Sequence, residues 1–173
     1  MFEDFIYYDY MYQSAEIKRL VKLSENSEYN SDCNHNRHRE YFALFEDNYP
    51  DPNLLYNVYR DFLGIYAEGL EFNPNSSAFG INTRIARYFV GDKFDWHSDN
   101  TPATKAVYGR RQITSITYLN DDYIGGETEF YKGPIIKPKK GKTLIFPANI
   151  CFRHRGREVI EGCKYICVQH LWG

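Results

Sequence analysis

Arg111-Gln112-Ile113-Thr114-Ser115-Ile116-Thr117-Tyr118-Leu119 is an unbroken β-branched and aromatic run, stopped by Asn120-Asp121-Asp122. Residues of this kind fit a pleated, half-buried surface, and the polar triplet is turn chemistry, so the run predicts a strand over 111–119. Comparable runs flank it near 82–90 and 94–98, then near 127–131, 135–137, 142–147, 150–155 and 163–171. Gly91-Asp92, Gly125-Gly126, Gly133-Pro134, Gly141 and Gly162 divide them. Short strands at this spacing predict an antiparallel double-sheet jelly roll, a double-stranded β-helix.

Before Asn73-Pro74-Asn75-Ser76-Ser77 the texture is helical. Ser14 stands as N-cap for a helix over Ala15 to Leu23, with Ile17, Leu20 and Val21 on one face. Ser24 to Arg39 lacks periodicity and reads as a loop, with His35 and His38 at the surface. Asp51-Pro52 is a cap and first-turn proline, and Leu55, Val58, Tyr59, Phe62, Ile65 and Tyr66 form an apolar stripe ending at Gly69. The expected class is α+β: one domain over 1–173, with helical support in 1–75 packed outside a jelly-roll core in 76–173.

Composition narrows the function. The 173 residues are 43% hydrophobic and 25% charged, the range of globular proteins, and no apolar run is long enough for a membrane helix. A net charge of -2 provides no global basic field for nucleic acid or anionic lipid. Aromatic residues reach 17%, mostly Tyr and Phe, so buried phenols need partners and a sheet or a pocket is favoured. Cys33, Cys151, Cys163 and Cys167 form no CxxC pair, and Met1-Phe2-Glu3-Asp4 places acids where a signal peptide carries positive charge. A reducing, cytoplasmic setting is expected.

In His97-Ser98-Asp99 the imidazole and carboxylate share one face of an extended segment, because side chains alternate with period two. On a late strand, Arg153, Arg155 and Arg157 face opposite to His154, so three outward guanidiniums imply an inward imidazole. A barrel that joins His154 to the first pair builds a facial triad, which leaves three adjacent positions on an octahedral ion and suits non-haem Fe(II). Lys164 falls in phase with Ile166, Val168 and His170 on the inner face, with no acid in phase nearby. A buried ammonium requires an anion, so a carboxylate ligand is expected.

These residues resemble the iron(II) and 2-oxoglutarate dependent oxygenases, in particular the prolyl 4-hydroxylase type of catalytic domain. The likeness runs from about Asn82 to Leu171 in five ordered blocks: Arg87 to Asp99, Arg111 to Asn120, Gly125 to Phe130, Pro138 to Phe146, and His154 to Tyr165. It implies a hydroxylase acting most readily on a prolyl residue in a peptide or protein, with succinate and CO2 as coproducts. Fe(II), 2-oxoglutarate and O2 would be its cofactors, with ascorbate as reductant. It makes His97, Asp99 and His154 the iron ligands and Lys164 the partner of the distal carboxylate of 2-oxoglutarate. Tyr88 assists that carboxylate, Thr128 lies beside the cosubstrate, and Arg111 lies near the substrate. His170 departs from the pattern, standing where peptide prolyl hydroxylases often carry tryptophan.

Three other readings compete. A zinc-binding structural module would use Cys151, His154, Cys163 and Cys167, which strand phase opposes. A nucleic-acid demethylase of the same superfamily would use a basic rim of Arg153, Arg155, Arg157, Lys137, Lys139, Lys140 and Lys142. Solvated outer-face charge is the simpler account of that rim. A hydroxylase of a small molecule such as a free amino acid stays open.

Overall fold

The computed structural model describes residues 6–31, 37–44, 80–100 and 110–172. Its strands are β1 (Tyr7–Tyr10), β2 (Asn30–Ser31), β3 (Arg37–His38), β4 (Glu40–Leu44), β5 (Gly80–Tyr88), β6 (Lys93–His97) and β7 (Arg111–Tyr118), followed by β8 (Ile124–Gly125), β9 (Thr128–Phe130), β10 (Ile135–Ile136), β11 (Lys142–Pro147), β12 (His154–Gly156), β13 (Val159–Glu161) and β14 (Lys164–Trp172). One helix, α1 (Ser14–Asn26), follows β1.

Among the described residues, β1-β11-β7-β14-β5-β4-β2 form a seven-stranded sheet, β10-β9-β12-β6-β3 a five-stranded one, and β13-β8 a short ribbon. Successive core strands alternate between the two large sheets: β5, β7, β11 and β14 in one, β6, β9 and β12 in the other. This is the jelly-roll pattern expected from the sequence. Between the sheets lies a core of Ala86, Ile116, Tyr118, Phe130, Leu144, Phe146, Ile166 and Val168.

The helix packs on the other side of the larger sheet. Ile17 and Leu20 are buried against Ile85, Leu119 and Cys167. Tyr12, just before α1, donates its hydroxyl hydrogen to Gln169 Oε1 at 3.0 Å, tying the helix entry to β14. The N-cap is Gln13 rather than Ser14, which is the first helical residue; the Gln13 N–H is taken by the Glu16 carboxylate three positions on. The helix expected after Pro52 lies outside the described residues, as do Cys33, His35 and most of the loop from Asn100 to Gly109.

Two expectations need correction. The first half is not all helical: β1 pairs with β11 and β4 with β5, while β2 and β3 occupy part of the expected Ser24–Arg39 loop. These short segments take their conformation from strands already in place, a tertiary influence that local periodicity does not encode. The strand expected over 150–155 is also broken. Ile150–Phe152 is a 3-10 turn whose Asn149 side chain accepts the Cys151 N–H at 2.9 Å, and β12 begins only at His154. No helix among the described residues is long and apolar enough to cross a membrane.

Candidate metal and cosubstrate site

β6 and β12 pair antiparallel with His97 directly opposite His154. Cross-strand partners share a face, so both rings point into the space between the sheets, with centroids 4.3 Å apart. Asp99 follows two residues beyond the end of β6. Its carboxylate oxygens lie 3.7 Å from His97 Nε2 and 3.7 Å from His154 Nε2. The three side chains offer ligand atoms all within 4.8 Å of one another, the one such group of His, Cys, Asp or Glu among the described residues.

The hydrogen bonds behind the rings decide what they can bind. His97 Nδ1 lies 2.7 Å from the Asp95 carbonyl oxygen, and His154 Nδ1 lies 3.0 Å from that of Phe152. A carbonyl only accepts, so each Nδ1 carries hydrogen and each Nε2 keeps a lone pair turned toward Asp99. Burial, reinforced by the neighbouring His154 and opposed by Asp99, holds the His97 pKa down at about 3. Burial alone pushes the Asp99 carboxyl upward, but the surrounding imidazoles and the Thr114 hydroxyl outweigh it and hold the group well below the usual carboxylate range. Two imidazoles and one carboxylate fit a divalent ion such as Fe(II). Phe94 stacks on the His97 ring at 3.6 Å, while Phe146 and Phe130 flank His154 at 4.7 and 5.8 Å; His154 is buried and His97 partly buried.

The second half of the site is cationic. Lys164 opposes Tyr88 across β14 and β5, and its ammonium lies 5.0 Å from the Tyr88 ring centroid and 5.9 Å from that of Tyr118. Nζ donates to the Gly126 carbonyl at 2.7 Å but forms no salt bridge among the described residues. Burial lowers its pKa to about 7; Glu127 pulls it up and Arg39 pushes it further down. Glu127, the acid that acts on it, stands just before β9 and out of phase with β14, and makes no salt bridge with Lys164 among the described residues. Gly126, at φ +66°, is constrained to glycine because a β-carbon would sit 3.0 Å from Lys164 Cδ. On β12, a β-carbon on Gly156 would come within 3.9 Å of Nζ, which places the ammonium close to the strand that carries His154. A cavity of about 300 Å³ is lined by Lys93, Phe94, Asp95, Arg155, Gly156, Arg157 and Glu158; it shares Gly156 with the surroundings of the ammonium but is not lined by Lys164 itself.

The remaining expected residues divide. Thr128 is buried, and its hydroxyl lies 2.7 Å from that of Tyr118, beside Lys164. Tyr88 is buried and accepts a hydrogen bond from Arg39 Nη1 at 3.1 Å. Arg111 stays apart from the histidine pair, with its guanidinium 4.8 Å over Trp172. Sequence reasoning missed Arg39, Tyr118 and Thr114. Arg39 has no pattern around it; Tyr118 and Thr114 stand in phase on β7 and were legible only as ordinary strand residues. Cys151 is exposed, Cys163 partly buried and Cys167 buried under α1, so the thiols do not gather around His154. Arg155 donates from Nε and Nη2 to Glu129 at 2.8 and 2.7 Å, and Arg157 Nε lies 3.4 Å from the same carboxylate. One carboxylate thus offsets one of the three positive charges of the arginine row.

A jelly roll whose facing strands present two imidazoles and a carboxylate, with a buried lysine close by, defines a non-haem metal oxygenase class. The sequence pattern of the 2OG-Fe(II) oxygenase superfamily matches residues 83–172, and the chain belongs to that superfamily. It is 29% identical over 140 residues to a PKHD-type hydroxylase from Synechococcus sp. (strain CC9902), covering 75% of this chain and 60% of that relative's length. Its fold matches that of a viral collagen prolyl hydroxylase from Paramecium bursaria Chlorella virus-1 in complex with 2OG. The TM-score is 0.76 at 21% identity, over 96% of this chain and 95% of the other. A Pseudomonas putida prolyl-4-hydroxylase gives a TM-score of 0.73 at 15% identity, over 97% and 92%. A Trichoplax adhaerens prolyl hydroxylase, in complex with a hypoxia inducible factor oxygen degradation domain peptide fragment, gives 0.70 at 14%, over 97% and 83%.

Proposed function

We propose that this chain is an Fe(II)/2-oxoglutarate-dependent dioxygenase that hydroxylates a C–H bond of a prolyl residue in a peptide or protein, releasing succinate and CO2. In this reading His97, Asp99 and His154 hold the iron, Lys164 holds the distal carboxylate of 2-oxoglutarate, and residues 76–173 form the catalytic core. One observation carries it: between the same two sheets lie a His-His-Asp cluster and a buried lysine that forms no salt bridge among the described residues.

When bound, iron and 2-oxoglutarate supply the oxidative decarboxylation that activates dioxygen for C–H hydroxylation, with ascorbate as an external reductant. The chain's own residues orient and insulate. The Asp95 and Phe152 carbonyls keep hydrogen on Nδ1, so Nε2 of each histidine faces the metal position. Phe94 covers one face of the His97 ring, and Phe130 and Phe146 wall the buried His154 ring. Lys164 gives the incoming carboxylate an ammonium, and Arg39, bonded through Tyr88, adds a second buried positive charge to that end. Thr128 and Tyr118 offer hydroxyls beside it. Arg111 is assigned to the substrate side.

The prolyl substrate draws support from the named functions of the similar structures, one of which is bound to a peptide. The ion pairs of Arg155 and Arg157 with Glu129 disfavour nucleic acid as substrate. Anaerobic addition of Fe(II) and 2-oxoglutarate tests the core of the reading through the visible metal-to-ligand charge-transfer band. It is expected in wild type and lost in His154→Ala; its absence in wild type, or persistence in that variant, overturns the assignment. Succinate release screened across proline-containing peptides tests the substrate, and stimulation only by a non-peptide reverses that choice.

A further inference from the structure

Each histidine of the cluster is fixed from behind by a carbonyl two residues back in the chain. Asp99 stands beyond the end of β6 and takes its support from the opposite sheet. Thr114 Oγ1 lies 2.6 Å from Asp99 Oδ2 and 3.1 Å from His170 Nδ1. Thr114 and His170 are register partners across β7 and β14, so the sheet itself sets their spacing. All three side chains are buried, and water does not compete for these bonds.

The direction of the chain follows from proton counting. An ionised carboxylate only accepts, so the single hydroxyl hydrogen of Thr114 goes to Asp99. The Thr114 oxygen is then an acceptor toward His170, so Nδ1 of His170 carries hydrogen. Donation therefore runs His170 to Thr114 to Asp99, each bond polarising the next. The β-branched Thr114 is stiff about χ1, which makes it a firm anchor.

We propose that Thr114 and His170 are positioning residues: they hold Asp99 Oδ2 so that the carboxylate presents a single oxygen to the metal. The inference rests on the iron-site reading above. An octahedral ion with two imidazoles and one monodentate carboxylate keeps three positions, two for the chelating cosubstrate and one for dioxygen. A bidentate carboxylate would take one of them. Oδ1 lies 3.7 Å from His97 Nε2 and Oδ2 lies 3.7 Å from His154 Nε2, so distance does not separate the two oxygens; the short charge-assisted bond from Thr114 does, making Oδ2 the poorer donor and leaving Oδ1 as the metal-facing atom. His170 thus has a task that the resemblance does not assign to its position.

The test is Co(II) binding by the otherwise metal-free protein, read as affinity and as the intensity of its visible absorption, which falls as coordination number rises. Thr114→Val is expected to weaken Co(II) binding about 10-fold to 100-fold, as loss of such an outer partner typically does, and to change the visible intensity. Thr114→Ser keeps the hydroxyl and is expected to restore both. His170→Phe is expected to lose affinity, while His170→Asn, whose amide can donate from nearly the place of Nδ1, retains it. Near-UV circular dichroism separates misfolding from lost positioning; if Thr114→Val fails to fold, the His170 pair decides. Equal affinity and spectrum in wild type and Thr114→Val, or equal behaviour of His170→Asn and His170→Phe, overturns the proposal. Failure of wild type to bind Co(II), or its retention in His154→Ala, overturns the metal-site reading beneath it instead.

Discussion

Replacing Lys164 by methionine should make the ligand-free protein more stable while removing its hold on 2-oxoglutarate. Burial lowers the lysine pKa from 10.5 to about 7, which corresponds to roughly 5 kcal/mol against folding when the group is charged in both states. Between those pH values the unfolded chain keeps a proton that the folded chain has released. Stability from this group therefore rises with pH from 7 toward 10, and the cost is complete below pH 7. Lys164→Met removes the cost but leaves the Gly126 carbonyl without its donor, a loss of about 2 kcal/mol. The variant should gain roughly 3 kcal/mol at pH 6, and the two effects should nearly cancel at pH 9.5. Urea unfolding followed by circular dichroism, without metal or cosubstrate, reads both values. Binding of 2-oxoglutarate to the metal-loaded variant should weaken about 100-fold, since an anionic group then lacks its buried partner. The same stability difference at both pH values would refute the account, because only a titrating lysine makes it depend on pH.

Arg39→Gln should weaken 2-oxoglutarate binding several-fold while raising the Lys164 pKa, since the guanidinium is one of the causes holding it down; the pH dependence of cosubstrate affinity reads both effects. Leu20→Ala empties a fully buried position between α1 and the sheet and should cost about 3 kcal/mol in urea unfolding. It should leave cosubstrate affinity in the surviving folded fraction unchanged, because α1 packs on the face of the sheet away from the histidines.

The jelly roll was legible where each strand carries its own signal. Arg111 to Tyr118 and Lys164 to Trp172 alternate faces, and glycines at 91, 125, 126, 141 and 162 all have positive φ in the structure. The same alternation accounts for the inward Lys164; His97 and Asp99 reach the cluster although β6 shifts register against β12 and ends at His97. His154 was correctly aimed although the strand expected over 150–155 was not there, because Arg155 and Gly156 keep the alternation within β12. β1 through β4 were not legible: their pairing depends on β11, β5 and β6, which lie far away in sequence. Arg39 becomes meaningful only once β3 and β4 place it beside Tyr88. Thr114 looks like any sheet threonine until Asp99 and His170 are seen on either side of it.

β14 also bears on the order of events during synthesis. It lies between β5 and β7, hydrogen-bonded to both, yet follows both in the chain. A nascent chain that has emerged only as far as β13 has two strands with facing open edges and no partner to bridge them. Such edges are templates for pairing with other chains, and distant strand pairing is slow. β14 must therefore form before the central sheet is joined, so a truncation within β14 should yield an aggregating protein rather than a weakened enzyme.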